Sequence, residues 1–485
     1  MNDTIIRLFS ISKFHTLLFV LCVLEIANMM LMGSSFNMLI CVPEFLIVLY
    51  FILKKNVGTA FLLHIIFSLT TFSVSFALHD DTLMSYSSLK LFGPFTISYI
   101  LLGLIWIMLL SKPIKAPHYS LIYLTRKLCI LVFIISSVIT IFGVFFLNYI
   151  FTHIIGPFLY MGICVLYLDI FVRLYNVDYL KSCYIIVIAL LIASPIASCI
   201  SFNILGVKAL YSVFDTFIMN ESFMLTPLLL LFIINPIDKK IMNCIYLGLL
   251  CYFILVMQSG RGGHFLNIAV CILLFVYLLY FNKKLGENYN KGLNIFRLLF
   301  PLIIFVVCGF LLTSSIDTSS NLANAKLSQF ISLFSVFSGG GLNLDNLSNS
   351  PYMRIAEFLN IFNDGYRNPL LLLIGNGYGG TYTDSLGLFV GIDLTEGSFS
   401  DSEASSGIFA TAHSMYPNVL LYHGLIGLFA FIRHGLVYLT KIKYTPLVFA
   451  SFTLFMYSFY FNVLLLIVCL FILFAAENKI QYNKI

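Results

Sequence analysis

Two arginines and a histidine carry the chemistry most readily read from this chain. Arg261 stands in the segment Gln258-Ser-Gly-Arg-Gly-Gly-His264. A guanidinium donates two parallel hydrogen bonds from a planar fork, which suits a phosphate, and flanking glycines let the backbone approach a ligand. The same placement suits an arginine anchored among lipid headgroups, and both readings stand. Arg354 lies on a predicted helix, with Glu357 at the i+3 position of a helix ion pair. By itself it reads as a solvated helix arginine, and Arg367, after a turn, even more so. His413 precedes an apolar segment. An imidazole titrating near neutrality is a natural general base. A histidine bonded to nearby backbone is the plainer reading.

The turn Ile374-Gly-Asn-Gly-Tyr-Gly-Gly380 is glycine-rich. It has the look of a phosphate cradle, but without a strand-to-helix context a tight loop needing positive φ is the safer reading. Gly375, Gly377, Tyr378, Tyr416 and Asn418 join Arg367 as candidate substrate contacts. No spacing of His, Asp or Glu matches a metal site, so no metal and no cofactor are expected. The 11 cysteines fall in or beside apolar segments with no CxxC pair, which argues against a disulfide framework.

These residues need elements to hold them, and composition says which. Of 485 residues, 60% are hydrophobic and 10% charged. A soluble fold has too little interior for that excess, so a cytosolic enzyme and a disordered chain are excluded. The expected fold is an all-α polytopic membrane protein. Apolar runs long enough to span a bilayer lie near 14–32, 36–53, 58–78, 92–111, 128–148, 153–172, 182–202, 223–236, 241–257, 264–282, 298–313, 415–431, 445–458 and 461–476. That makes about 14 helices. The net charge of +6 follows topology, not a nucleic-acid patch. With Met1 inside and strict alternation, only Lys90, Lys208, Arg261, Lys326, Arg354 and Arg367 of the 27 basic residues fall outside. Both termini are then cytoplasmic. No apolar stretch followed by an A-x-A site marks a cleaved signal.

Three parts are expected: helices over 1–313, a large outer loop over 314–414, and further helices over 415–485. The loop is acidic and too long to be a mere connector. It holds two predicted helices. One covers 324–338 and stops at Gly339-Gly340-Gly341. The other starts with Ser350 as cap and Pro351 in its first turn, and ends at Asn363-Asp364-Gly365. The stretch 381–412 reads as irregular. Inside the apolar runs lie Glu25, Glu44 and Asp169. Intramembrane acids are costly and often functional, so a proton or ion pathway is a rival reading; satisfaction within the bundle is the plain one.

Taken in order, the motifs resemble the O-antigen ligase and O-antigen polymerase superfamily. The resemblance rests on the Arg-Gly turn at 260–263, Arg354, the Pro369-to-Gly379 stretch, and Ala412-His413 leading into Asn418 and Gly424-Leu-Ile-Gly427. It is sharpest over about 257–428. Ser414, Gly260 and His423 depart from the usual residues. The resemblance implies a GT-C-like glycosyltransferase of the bacterial inner membrane. Its donor would be a glycan on undecaprenyl diphosphate. Arg261 and Arg354 would hold the diphosphate, and His413 would deprotonate the acceptor hydroxyl in a metal-independent inverting transfer. Polymerase is favoured over ligase for the large loop and many helices. A lipid-linked-oligosaccharide flippase is the alternative from another class. A chain-length regulator is the partner the resemblance implies.

Overall fold

The computed structural model describes residues 11–31, 38–70, 86–87, 89–92, 95–205, 239–259, 349–390, 392, 394, 399, 401–412 and 415–441. The expected spans at 223–236, 264–282, 298–313, 445–458 and 461–476, the helix at 324–338, Arg261 and His413 lie outside these.

The described residues are mainly helical. The helices are α1 (Phe14–Met30), α2 (Met38–Leu53), α3 (Val57–Thr70), α4 (Ile97–Leu109), α5 (Leu121–Phe146), α6 (Phe151–Leu174), α7 (Val177–Asn203) and α8 (Lys239–Ser259). After the next described residue, Asn349, come α9 (Asn349–Arg367), α10 (Pro369–Ile374), α11 (Asp401–Ser406) and α12 (Met415–Lys441). Four helices are long and apolar enough to cross a membrane: α5, α6, and the parts of α7 and α12 over Ser182–Asn203 and Tyr416–Val437. Five more apolar helices are shorter. This is the make-up of an all-α membrane protein.

Local chemistry explains several boundaries. The expected span at 92–111 begins late, because residues 90–96 form a hairpin of β1 (Lys90–Phe92) and β2 (Phe95–Thr96). The Thr96 side chain then accepts from the Tyr99 N–H and starts α4. Ser120 does the same for α5 through Tyr123. Pro43, Pro157 and Pro195 sit inside α2, α6 and α7. Membrane helices tolerate such prolines because neighbouring groups satisfy the freed carbonyls.

α7 is central, with 78% of its apolar window buried between α1 and α8. α5 is peripheral, with 28% buried. Its outward residues, including Leu131, Ile134, Val138, Ile141 and Phe145, are exposed and apolar, as a lipid-facing surface requires. α5 and α12 run antiparallel, since Thr125 meets His434 while Ser136 meets His423.

One buried ion cluster ties three helices. Asp169 on α6 accepts from Arg126 of α5 at 2.6 Å, Arg173 at 2.7 Å and Trp106 of α4 at 2.8 Å. Arg173 also donates to the carbonyls of Leu109, Leu110 and Lys112. Asp169 is therefore satisfied inside the bundle. Asp169→Ala would strand two arginines that are each less than one-fifth exposed. Losing one member of such a pair costs about 3–5 kcal/mol. A clear fall in unfolding midpoint in detergent is expected; an unchanged midpoint would refute this account.

Candidate functional site

The site region is built on α12, which is broken inside. Gly424 adopts φ 64° and ψ −170°, outside helical geometry. The glycine-rich turn fills the break. The Asn376 N–H donates to the Leu421 carbonyl at 2.8 Å and the Gly377 N–H to the Tyr422 carbonyl at 3.1 Å. Gly375 and Gly377 have φ of 85° and 69°, so the need for positive φ is met there. A Cβ on Gly375 would stand 2.4 Å from the Tyr422 oxygen, and one on Gly424 2.4 Å from the Gly375 nitrogen. On its other side the turn meets α5. Tyr378 N–H donates to Thr140 Oγ1 at 2.7 Å, and Tyr149 donates its hydroxyl to the Asn376 carbonyl at 2.8 Å. Tyr378 itself is fully buried beside Phe133, Phe158 and His423.

This placement corrects the cradle reading. The N–H groups of Gly375, Asn376, Gly377, Tyr378 and Gly380 all donate within the protein, to Leu371, Leu421, Tyr422, Thr140 and Gly377. These five are therefore engaged inside the protein. Gly375, Gly377 and Tyr378 are packing residues of a helix–turn–helix junction.

α9 packs against α10 and α12. Met353, Ala356 and Ile361 share a second apolar core with Tyr382, Phe389, Phe409 and Leu421. The helix does not stop at Asn363-Asp364-Gly365, because these polar residues are used sideways. Asn363 donates to Ser385 Oγ at 3.0 Å and Asp364 accepts from the Thr383 N–H at 2.8 Å. Asn360 and Asp384 are bonded to each other at 2.9 Å, and Asp384 also accepts from the N–H groups of Leu388 and Phe389.

The stretch expected to be irregular is in part ordered. β3 (Tyr382–Thr383) pairs with β4 (Ile408–Phe409) in antiparallel register. Beyond β4 the backbone is held group by group. The Ala410 N–H donates to Glu403 Oε1 at 3.1 Å, and its carbonyl accepts from the Tyr422 hydroxyl at 2.8 Å. The Thr411 carbonyl accepts from Tyr382 at 3.5 Å. Asn418 accepts from the Ala412 N–H at 2.8 Å and donates to its carbonyl at 2.7 Å. That carbonyl belongs to the peptide leading into His413.

Asn418, expected to bind substrate, is instead buried and uses both ends of its amide on this clamp. Asn418→Ala would leave two buried backbone groups unpaired, at about 1–3 kcal/mol each. A lower unfolding midpoint and faster proteolytic nicking near 408–414 are expected, and unchanged nicking would sink the clamp.

Arg354 is exposed on α9, and no carboxylate among the described residues pairs with it. The expected partner, Glu357, points the other way. It is fully buried beside the Tyr382 hydroxyl. Burial, and then the neighbouring Glu357 and Glu403, hold that hydroxyl protonated well above the ordinary tyrosine range. Tyr382 is thus a fixed donor, and through Glu357 it links the Arg354 helix to the Thr411 carbonyl. Arg367 and Tyr416 are exposed, Tyr416 at the start of α12 and Arg367 at the end of α9. Sequence reading missed Glu357, Tyr382, Glu403 and Tyr422 as positioning residues. Only the helical spacing of Arg354 and Glu357 hinted at one of them.

Comparison with family models, with curated proteins and with solved structures gave no match for this chain.

Proposed function

We propose that the chain is an O-antigen polymerase, transferring a growing glycan from undecaprenyl diphosphate to a lipid-linked repeat unit at the periplasmic face of the inner membrane. The order of motifs suggests the family. The observation that carries the reading is the brace from Arg354's helix, through Glu357 and Tyr382, to the strap that Asn418 clamps immediately before His413. The helix that bears an exposed guanidinium and the approach to a candidate base are thereby connected, as a two-substrate transfer needs.

In the proposed step His413 takes the proton of the acceptor hydroxyl. The acceptor oxygen attacks the anomeric carbon of the donor as the bond to the diphosphate oxygen breaks. Undecaprenyl diphosphate leaves with the bonding pair, and the anomeric centre inverts. Arg354, with Arg261, offsets the charge growing on the leaving group. The diphosphate is already a good leaving group, so the proposed step calls on no nucleotide and no metal. Tyr416 and Arg367 are exposed and can contact sugar hydroxyls.

A two-acceptor assay tests this. Purified protein in liposomes receives undecaprenyl-diphosphate repeat units alone, then with lipid A–core. A ladder from repeat units alone is expected. A product only with lipid A–core would make the chain a ligase. No product in either assay would return the flippase reading to first place.

A further inference from the structure

We propose that residues 368–383 form a re-entrant segment: α10 and the glycine-rich turn dip into the bilayer beside membrane-crossing helices, and the outward leucines of α10 lie against phospholipid acyl chains. No charged residue stands between Arg367 and Asp384. The segment opens with six consecutive apolar residues, Pro369–Ile374, too few to cross a bilayer. Three helices set its depth independently. In α5, Thr140 accepts from the Tyr378 N–H, and the helix runs on for six residues, about 9 Å, to Phe146. Along that stretch Ile141, Phe142, Phe145 and Phe146 are exposed, so α5 still presents a lipid-facing surface beyond the level of the turn. In α6, the Phe158 ring lies 5.7 Å from that of Tyr378, about 10 Å of helix inside the exposed Phe151 at its start. In α12, the turn bonds to the carbonyls of Leu421 and Tyr422, about 8–9 Å inside the span Tyr416–Val437.

Irregular backbone at membrane depth needs partners from the protein, because hydrocarbon supplies none. The N–H groups of Gly375, Asn376, Gly377, Tyr378 and Gly380 have them, and the Asn376 carbonyl accepts from Tyr149, which reaches in from the connection between α5 and α6. The side chains of α10 do the opposite. None of its residues is buried; Leu370 is 63% exposed and Leu373 47%. With Phe362 and Tyr366 near the end of α9 they leave apolar surface uncovered. Such a patch is costly in water and costs nothing against acyl chains. It also adjoins the apolar face of α12. A Cβ on Gly424 would stand 2.5 Å from the Leu373 oxygen, and two residues further on Ile426 opens an exposed stripe that continues with Phe429. The partner that fits this continuous surface is the hydrocarbon of the leaflet.

The full chain in liposomes of phosphatidylethanolamine and phosphatidylglycerol provides the test. Benzoylphenylalanine, which inserts into C–H bonds on illumination, replaces one residue at a time: Leu370, Leu373, Phe145 as the lipid-facing standard, or Ser405 as an exposed residue of the polar helix α11. Phospholipid adducts at Leu370 and Leu373 are expected within about threefold of the yield at Phe145 and at least tenfold above that at Ser405. A second measurement needs no variant. A diazirine dissolved in the hydrocarbon core should label Leu370–Leu373 of the unaltered chain, and a water-soluble diazirine should not. Adducts no more frequent than at Ser405, or labelling from the aqueous reagent alone, would place α10 in water and overturn the re-entry. Cross-links from Leu370 and Leu373 to protein in place of lipid, within the chain or to a second copy, would give the face another occupant and overturn it as well.

Discussion

His413→Ala is expected to lower turnover about 10²–10⁴-fold, the usual contribution of a positioned general base. The unfolding midpoint should stay close to wild type, because the strap before His413 is held by other groups: Tyr382, Glu403, Asn418 and Tyr422. The loss should fall on the chemical step and leave the apparent affinity for the lipid-linked donor largely intact. Arg354→Ala should behave differently. An exposed arginine that meets a diphosphate in the ground state raises KM when removed, and one that also meets the growing charge lowers kcat. Arg354→Lys keeps the charge but not the fork, so it should recover only part of the loss. Turnover of purified lipid-linked repeat units, with donor and acceptor varied separately, checks both. If His413→Ala stayed within about threefold of wild type, the base assignment would be wrong.

Gly375→Ala should cost the fold itself. Two effects add there. A side chain at φ 85° is strained, at roughly 1–2 kcal/mol. The new methyl would also stand 2.4 Å from the Tyr422 oxygen and 2.5 Å from the His423 nitrogen. Both are backbone atoms of α12, so no side-chain rotation relieves the contact. Gly387 separates the two effects. Its φ is 68°, yet nothing lies within 4 Å of its missing Cβ. Gly387→Ala should therefore cost only the conformational part, while Gly375→Ala and Gly424→Ala should exceed about 4 kcal/mol, a loss reserved for a few severe mechanisms. Monodisperse yield and unfolding midpoint measured side by side decide this. Equal effects at Gly375 and Gly387 would remove packing from the explanation.

How much of this was legible beforehand varied with the length of the signal. Long apolar runs need only composition, so α1, α2 and α5 to α8 lie close to the expected spans. The hairpin before α4 was lost inside a run, because Leu91, Phe92 and Phe95 are as apolar as a helix. α9 overran its expected end because Asn363 and Asp364 found partners in residues 383–385. Turn formers stop a helix only when nothing else engages them. The ladder of β3 and β4 was hidden because its strands are two residues each and pair across more than twenty intervening positions. In the site, Gly375 and Gly377 were readable as residues needing positive φ. That the Asn376 and Gly377 N–H groups would be taken by α12 was not, since the break at Gly424 is visible only once the turn is docked. Asn418 illustrates the same limit. An amide suited to a sugar hydroxyl is equally suited to a backbone peptide, and only the fold chooses.

The junction of α5, the glycine-rich turn and α12 has a consequence for biosynthesis. Its bonds join residues far apart in the chain: 227 positions for Tyr149 to Asn376, 238 for Thr140 to Tyr378 and 287 for Ser136 to His423. α5 leaves the ribosome hundreds of residues before its partners exist, so Ser136 and Thr140 must wait in the membrane with their hydroxyls turned back onto their own helix, as Thr140 remains bonded to the Ser136 carbonyl. Contacts of such separation form late in folding. The strap and its clamp can close only after Asn418 and Tyr422 have emerged, so in a nascent chain stalled before α12 residues 410–412 are unclamped and the junction is unformed.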